Sequence, residues 1–425
     1  MTIQPAEFLA GKRIVVAGGG FAGLSFVLAL DQLWQGSTLA RPEVLLYEQY
    51  SRDVALRKDP YTLCINGASQ DDGLVAIQQL GLLDAVREHS TLNDGNIRVW
   101  SDNWKWLSSI NPTVYENLPA ATMRITRQDL KRILMDKAEQ TKTILKWGSA
   151  CTSAERLSNG QIRVSVSEDV GSANSSTLDC DLLIAADGAN SRIRASFRPN
   201  DMTTQYAGAT QIGGISYLPG GLPKPIDQDF VLQMSSGEGV CCLYHPFDSN
   251  TIAWELSTVG PEREAKTNFN TEELNALKQE ALKTASMFQD PFKMVVESTI
   301  PNTAFIRPGK EKPAFQHDAR LHGVMFIGDA NHMLSAFEPL GANLALKDGW
   351  DLAEQLCHNI SLDAAAASYD RLSIPRFQHN FNFSHERIGF GHCTGSKWMF
   401  YKYGMAAQRA LKKKMDVRKF DLSYK

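Results

Sequence analysis

The sequence predicts an α/β fold: a parallel-sheet domain, an inserted and mainly antiparallel β-sheet domain, and a C-terminal helical region. Three observations predict it. A short β-branched run opens the chain, passes through a glycine-rich turn into an apolar helical stretch, and the same strand-turn-helix pattern returns near residue 324. Between them, residues 208–257 are rich in Gly, aromatic and β-branched residues, as an antiparallel sheet requires. The tail from 384 onward reads as mostly helical and turns basic at Lys412-Lys413-Lys414, which reads as a solvated helix face.

Taken in order, Ile14-Val15-Val16-Ala17 is a buried strand, Leu24 to Trp34 a helix, and Val44-Leu45-Leu46-Tyr47 a second strand ending at Glu48. Leu74, Ile77, Leu80, Leu83 and Val86 recur at helical spacing with a break at Gly81. Trp100, Trp104 and Trp106 alternate as in a strand. Thr126 caps a helix over 127–139, with Asp129 in the first turn where the dipole favours an acid. Residues 144–166 alternate as strands around a Ser-Asn-Gly turn, 167–176 form a polar loop, and Leu182 to Ala186 is a buried strand ending at Asp187-Gly188. A helix follows over 271–287, a last buried strand over 324–327 meets Gly328-Asp329, and a helix runs over 342–357. These readings divide the chain into a discontinuous domain of residues 1–96, 121–203 and 297–370, a sheet domain of 97–120 and 204–296, and helices over 371–425.

Composition excludes several classes. The 425 residues are 43% hydrophobic and 21% charged, enough for a sizeable core without covalent help. A net charge of -3 exerts no overall pull on nucleic acid. Seven cysteines without a Cys-x-x-Cys pair argue against a disulfide framework and leave no metal site to expect. The first residues, MTIQPAEFLAGKR, lack the apolar core of a signal peptide, and no run reaches the roughly 18 apolar residues of a membrane span. The expectation is a cytoplasmic protein, monomer or homodimer, whose partner is a small molecule.

The motifs narrow the chemistry. Gly18-x-Gly20-x-x-Gly23 stands between a strand and a helix, where glycines permit the tight turn, the approach of backbone to a pyrophosphate and close helix packing. Glu48 ends the next strand, placed to accept from a ribose diol. This is a Rossmann-like dinucleotide site, and alone it does not separate NAD from FAD. Downstream, Gly328-Asp329-Ala330-Asn331-His332 can set a carboxylate on a flavin ribityl hydroxyl. Gly341, Ala342 and Asn343, at a helix start, can offer N–H donors to the flavin's pyrimidine edge.

Together with Cys180-Asp181-Leu182-Leu183-Ile184-Ala185-Ala186-Asp187-Gly188-Ala189-Asn190-Ser191-Arg192-Ile193-Arg194, this set resembles the class A flavoprotein monooxygenases typified by p-hydroxybenzoate hydroxylase. Within that family the nearest likeness is to the tetracycline-inactivating flavin monooxygenases and related fungal enzymes, over most of the chain to about residue 375. The resemblance implies a single-component enzyme holding FAD, with NAD(P)H, NADPH favoured, as a transient co-substrate. O2 then adds at the flavin C4a, and the hydroperoxide hydroxylates or epoxidises an electron-rich substrate. It further implies that Arg127 contacts the flavin, that Arg57 serves the nicotinamide cofactor, and that the Asp187-Gly188 segment is associated with both FAD and the nicotinamide cofactor.

Three departures stand out: Cys64 occupies a position where the relatives carry Asp, the loop after His332 reads Ser335-Ala336-Phe337-Glu338-Pro339-Leu340-Gly341, and the tetracycline-contacting residues have no equivalents. Glu338 is expected to face solvent, since an unpaired buried carboxylate is costly. The Trp104-x-Trp106 pair resembles that of flavin-dependent halogenases but lacks the Ile-Pro that should follow, so these are read as core or pocket aromatics. The cofactor carries the hard chemistry, so no obligatory general base is named; His332 and His245 are acid/base candidates. Gln211, Tyr244, Trp254 and Phe337 are expected to line a pocket for a bulky, largely apolar aromatic or natural-product substrate of secondary metabolism. A flavin oxidase, dehydrogenase or non-oxygenating cyclase on the same scaffold stays open, as does a flavin-binding protein without catalysis.

Overall fold

The computed structural model describes residues 7–58, 61–93, 95–168, 175–337 and 340–422. Pro60, Glu338, Pro339 and most of the polar loop expected over 167–176 therefore lie outside the described residues. In chain order the elements are β1 (Arg13–Ala17), α1 (Phe21–Leu33), β2 (Glu43–Glu48), α2 (Arg52–Arg57), β3 (Thr62–Asn66), α3 (Gly73–Gln79), α4 (Leu83–Glu88) and β4 (Ser90–Asn93). Next come β5 (Ile97–Ser101), β6 (Trp106–Ile110), β7 (Thr122–Thr126), α5 (Arg127–Ala138), β8 (Ile144–Trp147), β9 (Ser149–Arg156), β10 (Ile162–Glu168), β11 (Ser175–Cys180), β12 (Leu182–Ala185) and α6 (Arg192–Phe197). The remainder holds β13 (Gln205–Tyr217), β14 (Phe230–Met234), β15 (Val240–Pro246), β16 (Thr251–Val259), α7 (Thr271–Thr284), α8 (Phe292–Glu297), β17 (Phe305–Glu311), β18 (Val324–Phe326), α9 (Gly341–His358), α10 (Leu362–Gly391) and α11 (Gly395–Leu422).

The chain forms two compact units. The first comprises Met1–Leu92, Val114–Gln205 and Lys310–Asn382, and the second Asn93–Thr113, Tyr206–Gly309 and Phe383–Lys425. Among the described residues, the first unit is built on a parallel sheet in the order β18-β12-β1-β2-β8. Its strands are apolar on both sides because both faces are covered. Ile14, Val16, Leu182 and Ile184 pack into the core with α1, α5 and α9, while Val15, Ala17, Leu183 and Ala185 pack with the antiparallel strands β9, β10 and β11. The helix expected after Thr126 forms because the Thr126 hydroxyl oxygen accepts from the Asp129 N–H at 3.0 Å. The pairing of β3 with β7, which brings residues 62–66 beside 122–126, was not anticipated.

The second unit carries the mixed sheet β17-β13-β16-β15-β14-β5-β6, in which β13, β16, β15 and β14 pair antiparallel in turn, β14 runs parallel to β5, and β5 pairs antiparallel with β6. One face is filled by Ile212, Val231, Tyr244, Trp254 and Leu256 against α7 and α8. A reciprocal cap starts α7: Asn270 Oδ1 accepts from Glu273 N–H at 2.9 Å, and the Glu273 carboxylate accepts from Asn270 N–H at 3.0 Å. Phe383 onward groups with this unit, where Cys393, Trp398 and Met405 close a small core with Val99, Leu107 and Met234. Among the described residues, no helix is long and apolar enough to cross a membrane, and no His, Cys, Asp and Glu cluster could hold a metal ion. The seven cysteines are free thiols.

Candidate functional site

Four motifs converge on one edge of the parallel sheet. β18, β12, β1 and β2 are neighbours, and at their carboxyl ends stand Gly328-Asp329, Asp187-Gly188, the Gly18–Gly23 turn and Glu48. The order reverses about β1, whose connection leads to β2 on one side while β12 and β18 fill the other. A crevice at such a reversal, beyond the strand ends, is where open α/β sheets take ligands.

The glycines fit a pyrophosphate by two different constraints. Gly18 sits at φ +107°, and a Cβ there would lie 2.3 Å from the Ala186 carbonyl oxygen; a Cβ on Gly23 would lie 2.0 Å from that of Gly18. These two set the turn. A Cβ on Gly20, at the start of α1, would meet no protein atom within 4 Å, and neither would one on Gly341 at the start of α9. The open side of each helix start leaves its first N–H groups free to meet a ligand. Glu48 is buried at 6% exposure, with its carboxylate accepting from Gly19 N–H at 2.9 Å and Tyr50 N–H at 3.1 Å, which fixes it beside the turn.

Asp329 follows β18 and accepts no hydrogen bond from any described residue. Burial pushes its pKa up to about 6, with His332 and Lys312 opposing and Asp348 reinforcing the shift. Beneath it lies a buried ionic network. Asp348 Oδ2 accepts from Gly328 N–H at 3.0 Å and stands 2.8 Å from His332 Nε2, close enough for an ion pair though not aligned as a hydrogen bond. Its other oxygen accepts from Arg376 at 2.9 Å and from the Ser373 hydroxyl at 3.0 Å. Arg376 also reaches Asp351 at 2.6 Å, and Asp351 pairs with Lys347 at 2.7 Å. Burial raises the pKa of Asp348, but His332 and Arg376 outweigh it and hold the carboxyl well below the usual range. His332, stacked on Phe377 with centroids 4.5 Å apart, thus belongs to the support of the Gly-Asp turn.

Several expected ligand residues turn out to be tied to the protein itself. Asn343 Oδ1 accepts from Asn66 N–H at 2.8 Å and Gly73 N–H at 3.2 Å, and its amide donates to the Cys64 carbonyl at 2.8 Å. What Asn343 retains for a cofactor is its backbone N–H, as do Gly341 and Ala342. Asp187 accepts from the Ser191 hydroxyl at 2.6 Å and from the N–H groups of Arg192 and Ile193, so it caps α6. Arg194, 1% exposed and missed by sequence reasoning as a site residue, donates to the carbonyls of Ala330 and Asn331 and so joins the Asp187 segment to the Gly-Asp turn. Arg127 opens α5 with its guanidinium donating to the Lys58 carbonyl at 3.2 Å and lying over the Phe21 ring. Arg57 is exposed at the end of α2 and makes no ion pair among the described residues. Phe337 is half-buried; the role of Glu338 lies outside the described residues.

On the second unit, the expected pocket residues separate by face. Successive residues of a strand point to opposite sides. Tyr244 and Trp254 occupy the face packed on α7 and α8, wholly buried, with the Tyr244 hydroxyl donating to Gln233 at 2.7 Å and the Trp254 indole to Thr299 at 3.1 Å. The expectation that they line a pocket is corrected: they are core. Trp104 packs against Tyr244 and donates to the Gln289 carbonyl, a turn residue of the same core. Gln211 and His245 lie on the other face, with Glu255 between them, a residue sequence reasoning did not single out.

The observations suit FAD: two open helix starts, two glycines that admit no side chain, and a carboxylate without a protein donor at a strand end. Fold and site together define a flavin-dependent oxidoreductase. The chain belongs to the FAD binding domain family, whose pattern matches residues 13–380, and that is the family of FAD-dependent monooxygenases. It is 38% identical over 392 residues to Monooxygenase cfoF of Aspergillus candidus, covering 91% of this chain and 93% of that relative. In fold it is similar to Klebsiella pneumoniae HpxO, solved with FAD and uric acid, at a TM-score of 0.72 and 17% identity, covering 96% of this chain and 97% of that one. It is also similar to the tetracycline destructase Tet(55), at a TM-score of 0.61 and 18% identity over 89% of each chain.

Proposed function

We propose that the protein is a single-component monooxygenase that takes NAD(P)H and O2 and hydroxylates or epoxidises a bulky, largely apolar aromatic or natural-product substrate. The observation that carries this reading is the convergence of the Gly18–Gly23 turn, Glu48, Asp187 and Gly328-Asp329 on adjacent strand ends of one sheet. When bound, FAD would supply the redox chemistry: acceptance of a hydride, activation of O2 and transfer of one oxygen atom, the other leaving as water.

The chain's own residues bind and orient. Glu48 would accept from the ribose diol, and the first N–H groups of α1 would meet the pyrophosphate. Asp329 would accept from a ribityl hydroxyl, held in place by Gly328 N–H on Asp348. The N–H groups of Gly341, Ala342 and Asn343 would favour negative charge at the flavin's pyrimidine edge. Arg127 would contact the flavin, and the exposed guanidinium of Arg57 would suit an anionic nicotinamide cofactor, NADPH favoured. On the second unit, Gln211 and His245 are the proposed substrate contacts. Anaerobic bleaching of the yellow protein by NADPH, followed on aeration by oxygenated product equal to the O2 consumed, is the expected result. Peroxide as the sole product with every substrate that accelerates flavin reduction counts against it.

A further inference from the structure

Gln211, Glu255 and His245 form a polar set on the sheet face opposite α7 and α8, and one atom of it is left over. The register puts Gln211 opposite Ser257 and Gly213 opposite Glu255 on β13 and β16, with Leu243 opposite Glu255 and His245 opposite Ala253 on β15 and β16. All these side chains share one face. Gln211 donates its amide to Glu255 Oε2 at 3.0 Å, and Glu255 Oε1 stands 3.6 Å from His245 Nε2. The Glu255 contact fixes which way the Gln211 amide points, because a flipped amide would set its carbonyl against a carboxylate. The carbonyl Oε1 is therefore the far end, and it is buried with no hydrogen-bond partner, on a residue only 4% exposed. Such an orphaned acceptor destabilises the fold until a donor reaches it.

The surroundings specify the donor. The His245 ring lies between Phe230 and Phe247, with centroids 6.2 Å and 5.9 Å away, so the polar set is flanked by aromatic surface. Burial raises the Glu255 pKa, but the contact with His245, together with Arg307 and Gln211, outweighs it and keeps the carboxyl below its ordinary range. An ionised carboxylate beside the orphaned carbonyl attracts a positively polarised hydrogen and repels an anion.

We propose that Gln211, held by Glu255, is a specificity-determining residue that accepts a hydrogen bond from the substrate, so that the preferred substrate is an uncharged aromatic carrying a phenolic O–H or a ring N–H. This rests on the monooxygenase reading for its meaning but is measured without turnover. The FAD-loaded protein, with no NAD(P)H present, is titrated with 2-naphthol against 2-methoxynaphthalene, and with carbazole against N-methylcarbazole, by ligand-observed NMR. In each pair the donor-bearing compound is expected to bind about tenfold more tightly. Gln211→Leu should bring the two within about twofold by weakening the donor-bearing compound alone. Gln211→Asn, which keeps the amide but withdraws it by one methylene, should also shrink the ratio and serves if the leucine variant does not fold. Equal affinity within both pairs, or a ratio unchanged in a folded variant, overturns the proposal. A preserved ratio with no oxygenated product from any substrate leaves the recognition standing and removes the monooxygenase reading instead.

Discussion

At the scale of the residue, the proposed flavin contact Asp329 carries a cost to stability. Its carboxyl has no donor among the described residues and its pKa is raised to about 6, so between about pH 4 and 6 the folded apoprotein binds a proton that the unfolded chain has already lost. Stability of the apoprotein therefore falls as pH rises through this window, and the full penalty, at most about 3 kcal/mol, is present at pH 7. Asp329→Asn should stabilise the apoprotein at pH 7, with the gain fading below about pH 4, while weakening FAD at least tenfold. Thermal melts across pH and a flavin fluorescence titration check both halves. Position and partner differ in how far sequence reveals them. The positions of Gly18, Gly20, Gly23, Glu48 and Asp329 beside strand ends were legible because each sits at a local junction of strand and turn. That Tyr244 and Trp254 pack in the core was not legible, because alternation defines two faces without saying which one α7 and α8 will cover. Gln211, on the opposite face, differs from them only by that parity.

At the scale of the element, α9 would join the two halves of the proposed cofactor site. It crosses α1 at Gly349, where an added Cβ would lie 2.4 Å from the Ala22 carbonyl oxygen and 2.7 Å from the Phe26 nitrogen. Ser25 donates to the Leu346 carbonyl at 2.6 Å in the same crossing. Because the obstruction is backbone on both counts, no side chain can yield to relieve it. Gly349→Ala should thus destabilise the protein by about 1–3 kcal/mol and loosen FAD although residue 349 lies away from the proposed ligand contacts; calorimetry and retention of FAD through gel filtration measure the two effects. The buried charges of Asp348, Asp351, Lys347 and Arg376 lock α10 to this helix. α10 passes through Pro375, beside Arg376, as one uninterrupted helix. Sequence showed α9 as a helix over 342–357, close to the observed Gly341–His358, but not its role. The partners of Asn343 at residues 64, 66 and 73, and those of Arg194 at 330 and 331, lie too far along the chain for any local pattern to hold them.

At the scale of the whole molecule, the two units are each assembled from three separated segments of chain, so neither corresponds to a continuous piece of sequence. The nucleotide unit was readable because its strands are near-continuous apolar runs with motifs at their ends. The membership of Phe383–Lys425 in the sheet unit was not, since the helical periodicity of a tail does not name the surface it covers. A cofactor bound by the folded state alone stabilises it by mass action. FAD at about 100 times its dissociation constant should add about 2.7 kcal/mol to the folding free energy of the deflavinated protein, read as a rise in melting temperature. An unchanged melt on adding FAD would contradict the assignment of the strand-end site.

The strand order of the parallel sheet also has a consequence in time. β1 and β2 are complete before residue 50, β12 follows near residue 185, and β18, which closes the Gly-Asp side, emerges roughly 300 residues after β1. At about 5–20 residues per second, a ribosome takes about 15–60 s to cover that interval. Throughout it α1 lacks the helix that packs across it, and once β12 has emerged its outer edge stays unpaired until β18 follows, so the nascent chain exposes surface prone to association. On the proposed assignment the flavin half of the site is the last to form, and a chain stalled before residue 324 would lack both Asp329 and the start of α9.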